Sequence, residues 1–311
     1  MTRCTIVVFC LATLWLAGCG QVRHFGTQCP GFTENRVIRL SHIPGTPISI
    51  KTYNGRVYVE ATDRSDVEIN ALICARSEER LDSTPILTQR DEGGTLRIEV
   101  KWPAGGRKNG ESASFEIYVP EVDGIFASTS NAPIRIKGLS GTAELITNND
   151  PIEATNHHGI LRATTSNDAI VIVRNQGSIT ARSSNDDIRI NGVTGPVDAR
   201  TSNGTIEVNS AESSVFARTS NDQISISLTD SAIGPIDVET SNDPILLVLG
   251  ENFAGDVDLI TNERCIVDES LRRHAFRDGD KYVRLSIGKG EKSRLATRNA
   301  PIYVMARDTA Q

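Results

Sequence analysis

The chain has 311 residues, a formal net charge of −6 and only 5% aromatic residues. A mildly acidic balance without Lys/Arg clusters excludes a nucleic-acid-binding surface. So few aromatic side chains argue against one thick globular core and for thin layers built from Ile, Val and Ala.

In chain order, Arg3 is followed by an almost wholly apolar run from Cys4 to Leu16. The run is too short to cross a bilayer comfortably and has the shape of a signal-peptide core. It ends in Leu16-Ala17-Gly18-Cys19, which resembles the lipobox of bacterial lipoproteins. The resemblance implies cleavage after Gly18, a diacylglyceryl group on Cys19, and attachment to the membrane through the N-terminal lipid. Residues 1–18 are then the signal peptide and residues 19–32 a lipidated tether. Acyl chains anchor through about 0.8 kcal/mol per buried CH₂. In such lipoproteins an aspartate after the lipidated cysteine holds the protein at the inner membrane. Gly20 stands there instead, so the outer membrane is expected if the host has two. Removal of Arg3 with the leader takes the net charge from −6 to −7. With Cys4 and Cys10 removed and Cys19 acylated, Cys29, Cys74 and Cys265 remain. An oxidising envelope allows one pair to form a disulfide, and spacing alone does not select it. No Cys-x-x-Cys or His-rich spacing suggests zinc.

Residues 33–127 read as an irregular, strand-rich opening or cap. Period-2 patterns place strands at Val37–Leu40, Ile48–Thr52, Val57–Ala61, Val67–Ile73, Leu96–Trp102 and Phe115–Val119, separated by Gly/Pro turns. Asn54-Gly55-Arg56-Val57 looks like a degenerate copy of the repeat unit that begins near residue 128.

From residue 128 the sequence repeats: SNAPIRI, NNDPIEA, SNDAIVI, SNDDIRI, SNGTIEV, SNDQISI and SNDPILL. The aligned asparagines are Asn131, Asn149, Asn167, Asn185, Asn203, Asn221 and Asn242. The intervals are 18 residues five times and then 21, with echoes at Asn262 and Asn299. Ile stands three residues after each asparagine (Ile134, Ile152, Ile170, Ile188, Ile206, Ile224 and Ile245), with a second apolar residue two further on. This is a half-buried strand. The tenth position holds Gly141, Gly159, Gly177 and Gly195, and a second strand with Val/Leu/Ala pairs comes after it. Strand, turn, strand, turn in constant register predicts an all-β fold, a parallel β-solenoid of ~18-residue two-strand coils with equivalent strands about 4.8 Å apart. A sandwich of hairpins also yields short strands, but it does not require columns of identical residues. Residues 268–281 interrupt the pattern with a helix-compatible insert, after which Tyr282–Ile287 and Leu295–Val304 resume strands.

The Thr-Ser-Asn-(Asp/Gly)-x-Ile units at Thr165–Ile170, Thr201–Ile206, Thr219–Ile224 and Thr240–Ile245, with Asn54–Val57, Gly94-Thr95-Leu96 and Val119-Pro120, resemble the putative-adhesin family of β-strand-repeat domains. The resemblance covers most of residues 36–305. It implies a solenoid-like β fold and a cell-envelope setting, and it carries no catalytic residues. The chain departs from the family in often having Asp rather than Gly after the repeat asparagine.

Candidate chemistry tracks the repeat. The asparagine column suits tight corners with amides paired from rung to rung. Beside it runs an acidic column, Asp150, Asp168, Asp186, Asp222, Asp243 and Glu263. Stacked carboxylates repel by about 1 kcal/mol in water and read here as solvated, since the Gly-rich calcium nonapeptide is absent. His157-His158 falls where a solvent-facing turn is expected. No nucleophile elbow, phosphate loop or dinucleotide fingerprint appears. The expectation is a non-enzymatic envelope lipoprotein without cofactor or metal, presenting a rigid surface to an envelope protein or a polysaccharide. The competing class is a β-helix enzyme that cleaves polysaccharides with paired carboxylates.

Overall fold

The computed structural model describes residues 3–4 and 29–307. Cys19, where lipidation is expected, and the other residues of the expected leader and tether up to residue 28 lie outside the described residues. From Phe32 onward the chain is almost entirely strand, wound into two facing ladders. We call them the Ile wall and the Ala wall after the side chains they turn inward.

In the regular part, each rung contributes one strand to each wall. The Ile wall stacks Ile134–Lys137, Ile152–His158, Ile170–Gln176, Ile188–Val193, Ile206–Ala211, Ile224–Leu228 and Ile245–Leu249, all parallel and with Ile paired to Ile. The Ala wall stacks Asp123–Ser128, Ser140–Ile146, Leu161–Thr164, Ile179–Arg182, Val197–Arg200, Val215–Arg218 and Ile236–Glu239 in the same way. Period-2 alternation turns the Ile pair of one wall toward the smaller Val/Ala pair of the other. Ile170, Ile188, Ala181 and Ala199 are wholly buried. Burying each Ile contributes about 1.5–3 kcal/mol, so these columns are the main source of cohesion. The ladder runs without interruption across residues 127 and 128.

Both ends depart from sequence order. At the N-terminal end the first rung of the chain, Ile48–Lys51 with Val57–Ala61, lies between the rung Leu96–Val100 with Ser112–Val119 and the rung Asp123–Ser128 with Ile134–Lys137. At the other end the last rung, Lys292–Ala296 with Ile302–Ala306, inserts between Ile236–Leu249 and the earlier strands Gly255–Ile260 and Cys265–Val267. Asn299 therefore stacks on Asn242, and the echo at Asn262 belongs to the outermost rung. Constant repeat length predicts stacking in sequence order; the ends break it because edge strands are covered by pairing instead of being left open.

Antiparallel strands close three of the four wall ends. Phe32–Ser41 and Asp66–Ala75 extend the Ile wall, Ile86–Arg90 closes the Ala wall beside Leu96–Val100, and the hairpin Ala275–Asp278/Tyr282–Ile287 closes its far end. Residues 268–281 hold a 3-10 turn, Glu269–His274, and one strand of this hairpin. Tyr282–Ile287 is a strand as expected, but antiparallel and outside the coil. A short helix, Glu78–Asp82, is started by Ser77, whose side chain accepts from the Arg80 amide. Arg80 grips the fully buried Glu111 with bonds of 2.6 and 2.8 Å, and a Cys29–Cys74 disulfide ties the chain start to the same cap. Cys265 remains a buried free thiol, and burial pushes it up to about 11.

Candidate functional site: the corner ladder and the groove on the Ala wall

The Thr-Ser-Asn segments form the corners leading into the Ile wall. Each asparagine is exposed, and its amide donates to the amide oxygen of the previous one: Asn149 to Asn131 at 2.5 Å, Asn167 to Asn149 at 2.6 Å, Asn185 to Asn167 at 2.8 Å, Asn203 to Asn185 at 3.0 Å, Asn221 to Asn203 and Asn242 to Asn221 at 2.8 Å. Asn299 extends the column by bonding Asn242 at 2.8 Å, and the amides of Asn54 and Asn131 meet at 2.7 Å. Two residues earlier sits a buried hydroxyl that the sequence makes less conspicuous. Thr165, Ser183, Thr201 and Thr219 donate to the backbone carbonyls of Asp150, Asp168, Asp186 and Gly204 in the preceding corner. Inside, the threonines tie rung to rung; outside, the asparagines do.

The acidic column beside the ladder turns partly back on its own backbone, with Asp168 and Asp186 accepting from the next amide at 2.7 Å. Partial burial, together with the neighbouring Asp168, raises the Asp150 carboxyl above its ordinary value. Among the described residues no group of three or more His, Cys, Asp or Glu is placed to hold a metal ion.

His157 corrects the expectation of a solvent-facing turn. It is 1% exposed and stands in an inward column with Asn175, Val193 and Ala211. Simple alternation from Ile152 and Ala154 would turn it outward, but Asn156 adopts φ 54°, as do Arg174 and Ser210 at φ 57° and 55° one and three rungs on. This left-handed residue acts as a bulge and resets which side faces in. His157 Nε2 donates to the Gly141 carbonyl at 3.1 Å, which leaves Nδ1 a buried acceptor without a donor. The glycine corner beside it admits no side chain: a Cβ on Gly159, at φ 137°, would lie 2.1 Å from the Gly141 carbonyl oxygen.

On the outward face of the Ala wall, the column Thr180, Asp198, Phe216, Asp237 and Arg294 borders an open groove of about 590 Å³. Pro196 and Pro235 line its other side and Lys292 one end. Behind Phe216, the Arg200 and Arg218 guanidinia face the ring at 4.5 and 4.4 Å. Asp198 accepts from Arg182 at 2.8 Å and from Arg200 at 2.9 Å. Arg218 and Arg294 both approach Asp237 and Glu239 at 3.4–3.8 Å. Oδ1 of Asp237 is shielded from water and accepts no hydrogen bond. These residues escape a sequence reading keyed to the repeated inward positions, because they occupy the variable outward sites of the second strand.

No protein family matches the sequence, and no curated protein does. Solved structures of similar course include a putative adhesin from Bacteroides fragilis, 11% identical, covering 90% of this chain and 100% of its own, at a TM-score of 0.41. A putative lipid binding protein from Parabacteroides distasonis is 16% identical over 88% of this chain and 97% of its own, at 0.42. A putative cell adhesion protein from Clostridium sporogenes is 8% identical over 89% and 100%, at 0.22. Overlaps this loose assign no ligand, partner or activity.

Proposed function

We propose that the chain is a non-enzymatic cell-envelope lipoprotein, anchored through Cys19, whose rigid solenoid presents a ribbed surface for adhesion or for contact with another envelope component. The observation that carries this reading is the continuous ladder, braced on one edge by buried threonines and exposed asparagines, with a charge network lining a groove on an outward face. Cys29 follows Cys19 by ten residues and is bonded into the cap. An extended chain of that length reaches about 35 Å, so lipidation at Cys19 keeps the cap end within that distance of the membrane. If the host has two membranes, the outer one is the proposed site.

A glycan-cleaving enzyme needs an acid and a second carboxylate flanking one scissile bond. Here arginines engage both Asp198 and Asp237. The arrangement suits holding better than cutting.

Two measurements test the proposal. Cys19→Ser should leave the protein unlipidated and out of the detergent-extracted membrane fraction; a membrane-bound mutant refutes the anchor. The same soluble mature chain, immobilised, should retain an envelope component that a misfolded control does not retain. Equal retention by both refutes the presenting surface.

A further inference from the structure

Phe216 is the only aromatic residue between Phe126 and Phe253. The regular array thus does without aromatics in its core, and the one it has points outward, half-buried, between the in-register Asp198 and Asp237. The single change of repeat length between Asn131 and Asn242 occurs at the same place. The 21-residue unit that starts at Asn221 carries its extra chain in residues 229–235, which lead into the groove strand Ile236–Glu239. Ile233 on that turn is 76% exposed, the highest value among the exposed large apolar side chains. The rung inserted out of sequence order then brings Lys292 and Arg294 to the groove's end. The solenoid's own packing requires neither the outward Phe216 nor the lengthened turn, and both meet the inserted rung at one groove.

We infer that this groove binds a hydroxyl-rich, uncharged glycan strand lying along the solenoid axis, across the strands from Ile179 to Ala296. The inference rests on the presenting-surface reading above and names its partner. Phe216, Pro196 and Pro235 give the groove an apolar lining, suited to the C–H face of a pyranose. The carboxylates of Asp198 and Asp237 are acceptors only and line the groove; sugar hydroxyls supply donors. Rungs about 4.8 Å apart offer each successive saccharide unit a fresh strand. Asp198 and Asp237 offset Lys292 and Arg294 along the groove, and Arg182, Arg200 and Arg218 are engaged by Asp198, Asp237 and Glu239, so a polyanion meets no unengaged cationic cluster there. A peptide cannot join as an added strand, because every strand under the groove is already paired on both sides. The groove's volume also falls within the roughly 300–1,000 Å³ of ligand sites. Arg200 and Arg218 hold the ring in place before any ligand arrives, which limits the ordering cost of binding.

The test is calorimetric titration of the mature chain carrying Cys19→Ser with cellopentaose, chitopentaose and a pentameric galacturonate. Saturable binding of a neutral pentamer is expected, weakened at least tenfold by Phe216→Ala and by the near-isosteric Asp237→Asn. Arg189→Ala, on the outward face of the opposite wall, should leave it unchanged. Circular dichroism checks that each variant is folded. No saturable binding of either neutral pentamer, binding undiminished in both groove variants, or preference for the galacturonate overturns the assignment. If the Phe216→Ala chain still retains its envelope component in the capture experiment, the presenting-surface reading survives while the glycan groove falls.

Discussion

The middle of the molecule and its two ends are made of the same rungs but held by different means. Between Ser140 and Leu228 every strand pairs with the strand 18 residues before or after it, and equivalent side chains lie on one another. At the ends the neighbour in space is far away in sequence: Val57 pairs with Phe115 and Ile134, and Ile245 with Ile302. The middle is therefore specified locally, with each unit carrying the register for the next. The ends are clamped rungs, each gripped by strands from both sides and finished with antiparallel edges. A repeat array needs distinct ends for solubility, and here the chain's first and last rungs are protected by being placed second from the outside.

The largest effect should come from breaking the middle's register. Deleting Asn167–Ser184 removes one 18-residue unit and joins Ser166 to Asn185, recreating a Ser-Asn-Asp junction with every inward Ile in line. Stability in such arrays is approximately additive, so the protein should fold one rung shorter. Deleting only Asn167–Ser183 forces a bulge or turns Ile188 and Ile190 outward, and should leave the chain unfolded or split. Circular dichroism and thermal melts of the two deletions compare them directly. A folded 17-residue deletion beside an unfolded 18-residue one would falsify local specification of the middle.

Next comes the cap, where one polar pair replaces many identical columns. Glu111 is held by Arg80 and by the Lys108 and Arg76 amides, and these partners bring its carboxyl down to about 2 against the opposing effect of burial. Glu111→Ala removes the shared acceptor of the Arg80 guanidinium and of two backbone amides and should cost about 1–3 kcal/mol. The loss should be confined to residues 66–119, read as faster amide exchange there and unchanged exchange between Ser140 and Leu228. Since the folded value lies below the ordinary 4.5, this stabilisation is present above pH 4.5 and is lost as pH falls through about 2. Exchange that accelerates along the whole ladder would show that the cap and the middle unfold as one unit.

Legibility in the sequence divides along the same line. The asparagine and isoleucine columns, the two strands per unit and the glycine corner are visible because each is repeated in register. The insertion of Lys292–Ala306 is not, because equivalence of units says nothing about their order. Nor does spacing choose Cys29 and Cys74 as the bonded pair, since Cys265 lies in a strand equally able to bury a thiol. Pure alternation misplaces His157: Asn156 and the equivalent Gly192 are residue types that tolerate a left-handed backbone, but Arg174 and Ser210 in the same column are not, so the column does not stand out as a repeated bulge. The groove is hidden for the opposite reason: Thr180, Asp198, Phe216 and Asp237 share a column but no constant residue type. A search for the outward residue that differs most from its column would find Phe216.

His157 gives a third way to probe the middle, of moderate size. Burial lowers its proton affinity below the ordinary 6.5, so the unfolded chain takes up a proton more readily than the folded one. Stability is then fully present above pH 6.5 and declines as pH falls from 6.5 toward the lowered folded value. His157→Val, which places a side chain like Val193 in the same column, exchanges one hydrogen bond to Gly141 for removal of the unsatisfied Nδ1. At pH 8 it should change stability by no more than about 1 kcal/mol, while the decline below pH 6.5 becomes shallower. Melts at pH 8, 6.5 and 5 check both; an unaltered pH profile would mean that other groups carry the acid sensitivity.

The smallest effect should fall on the most conspicuous feature of the sequence. Asn203 makes three hydrogen bonds, donating to Asn185 at 3.0 Å and to the Ser184 carbonyl at 3.3 Å and accepting from Asn221 at 2.8 Å, yet it is exposed, and water can replace all three. Thr201 makes one, donating to the Asp186 carbonyl at 3.1 Å, but it is buried, and no water reaches the carbonyl once the hydroxyl is gone. A buried acceptor left unmade costs about 1–3 kcal/mol, whereas an exposed bond exchanged for water costs a few tenths to about 1. Thr201→Val should therefore destabilise more than Asn203→Ala, despite losing fewer bonds. The same substitution at the clamped end, Thr297→Val, removes the donor to the Asp243 carbonyl at 3.2 Å, a contact that bridges 54 residues of chain. It should cost a similar amount, since its rung has a neighbour on each side like an interior one, and the loosening should stay in the last rungs, where the contact lies. Melts of the three variants, with exchange rates resolved along the ladder, rank them. If Asn203→Ala proved the most damaging, the exposed amide column would be the main tie between rungs and the buried hydroxyls secondary to it.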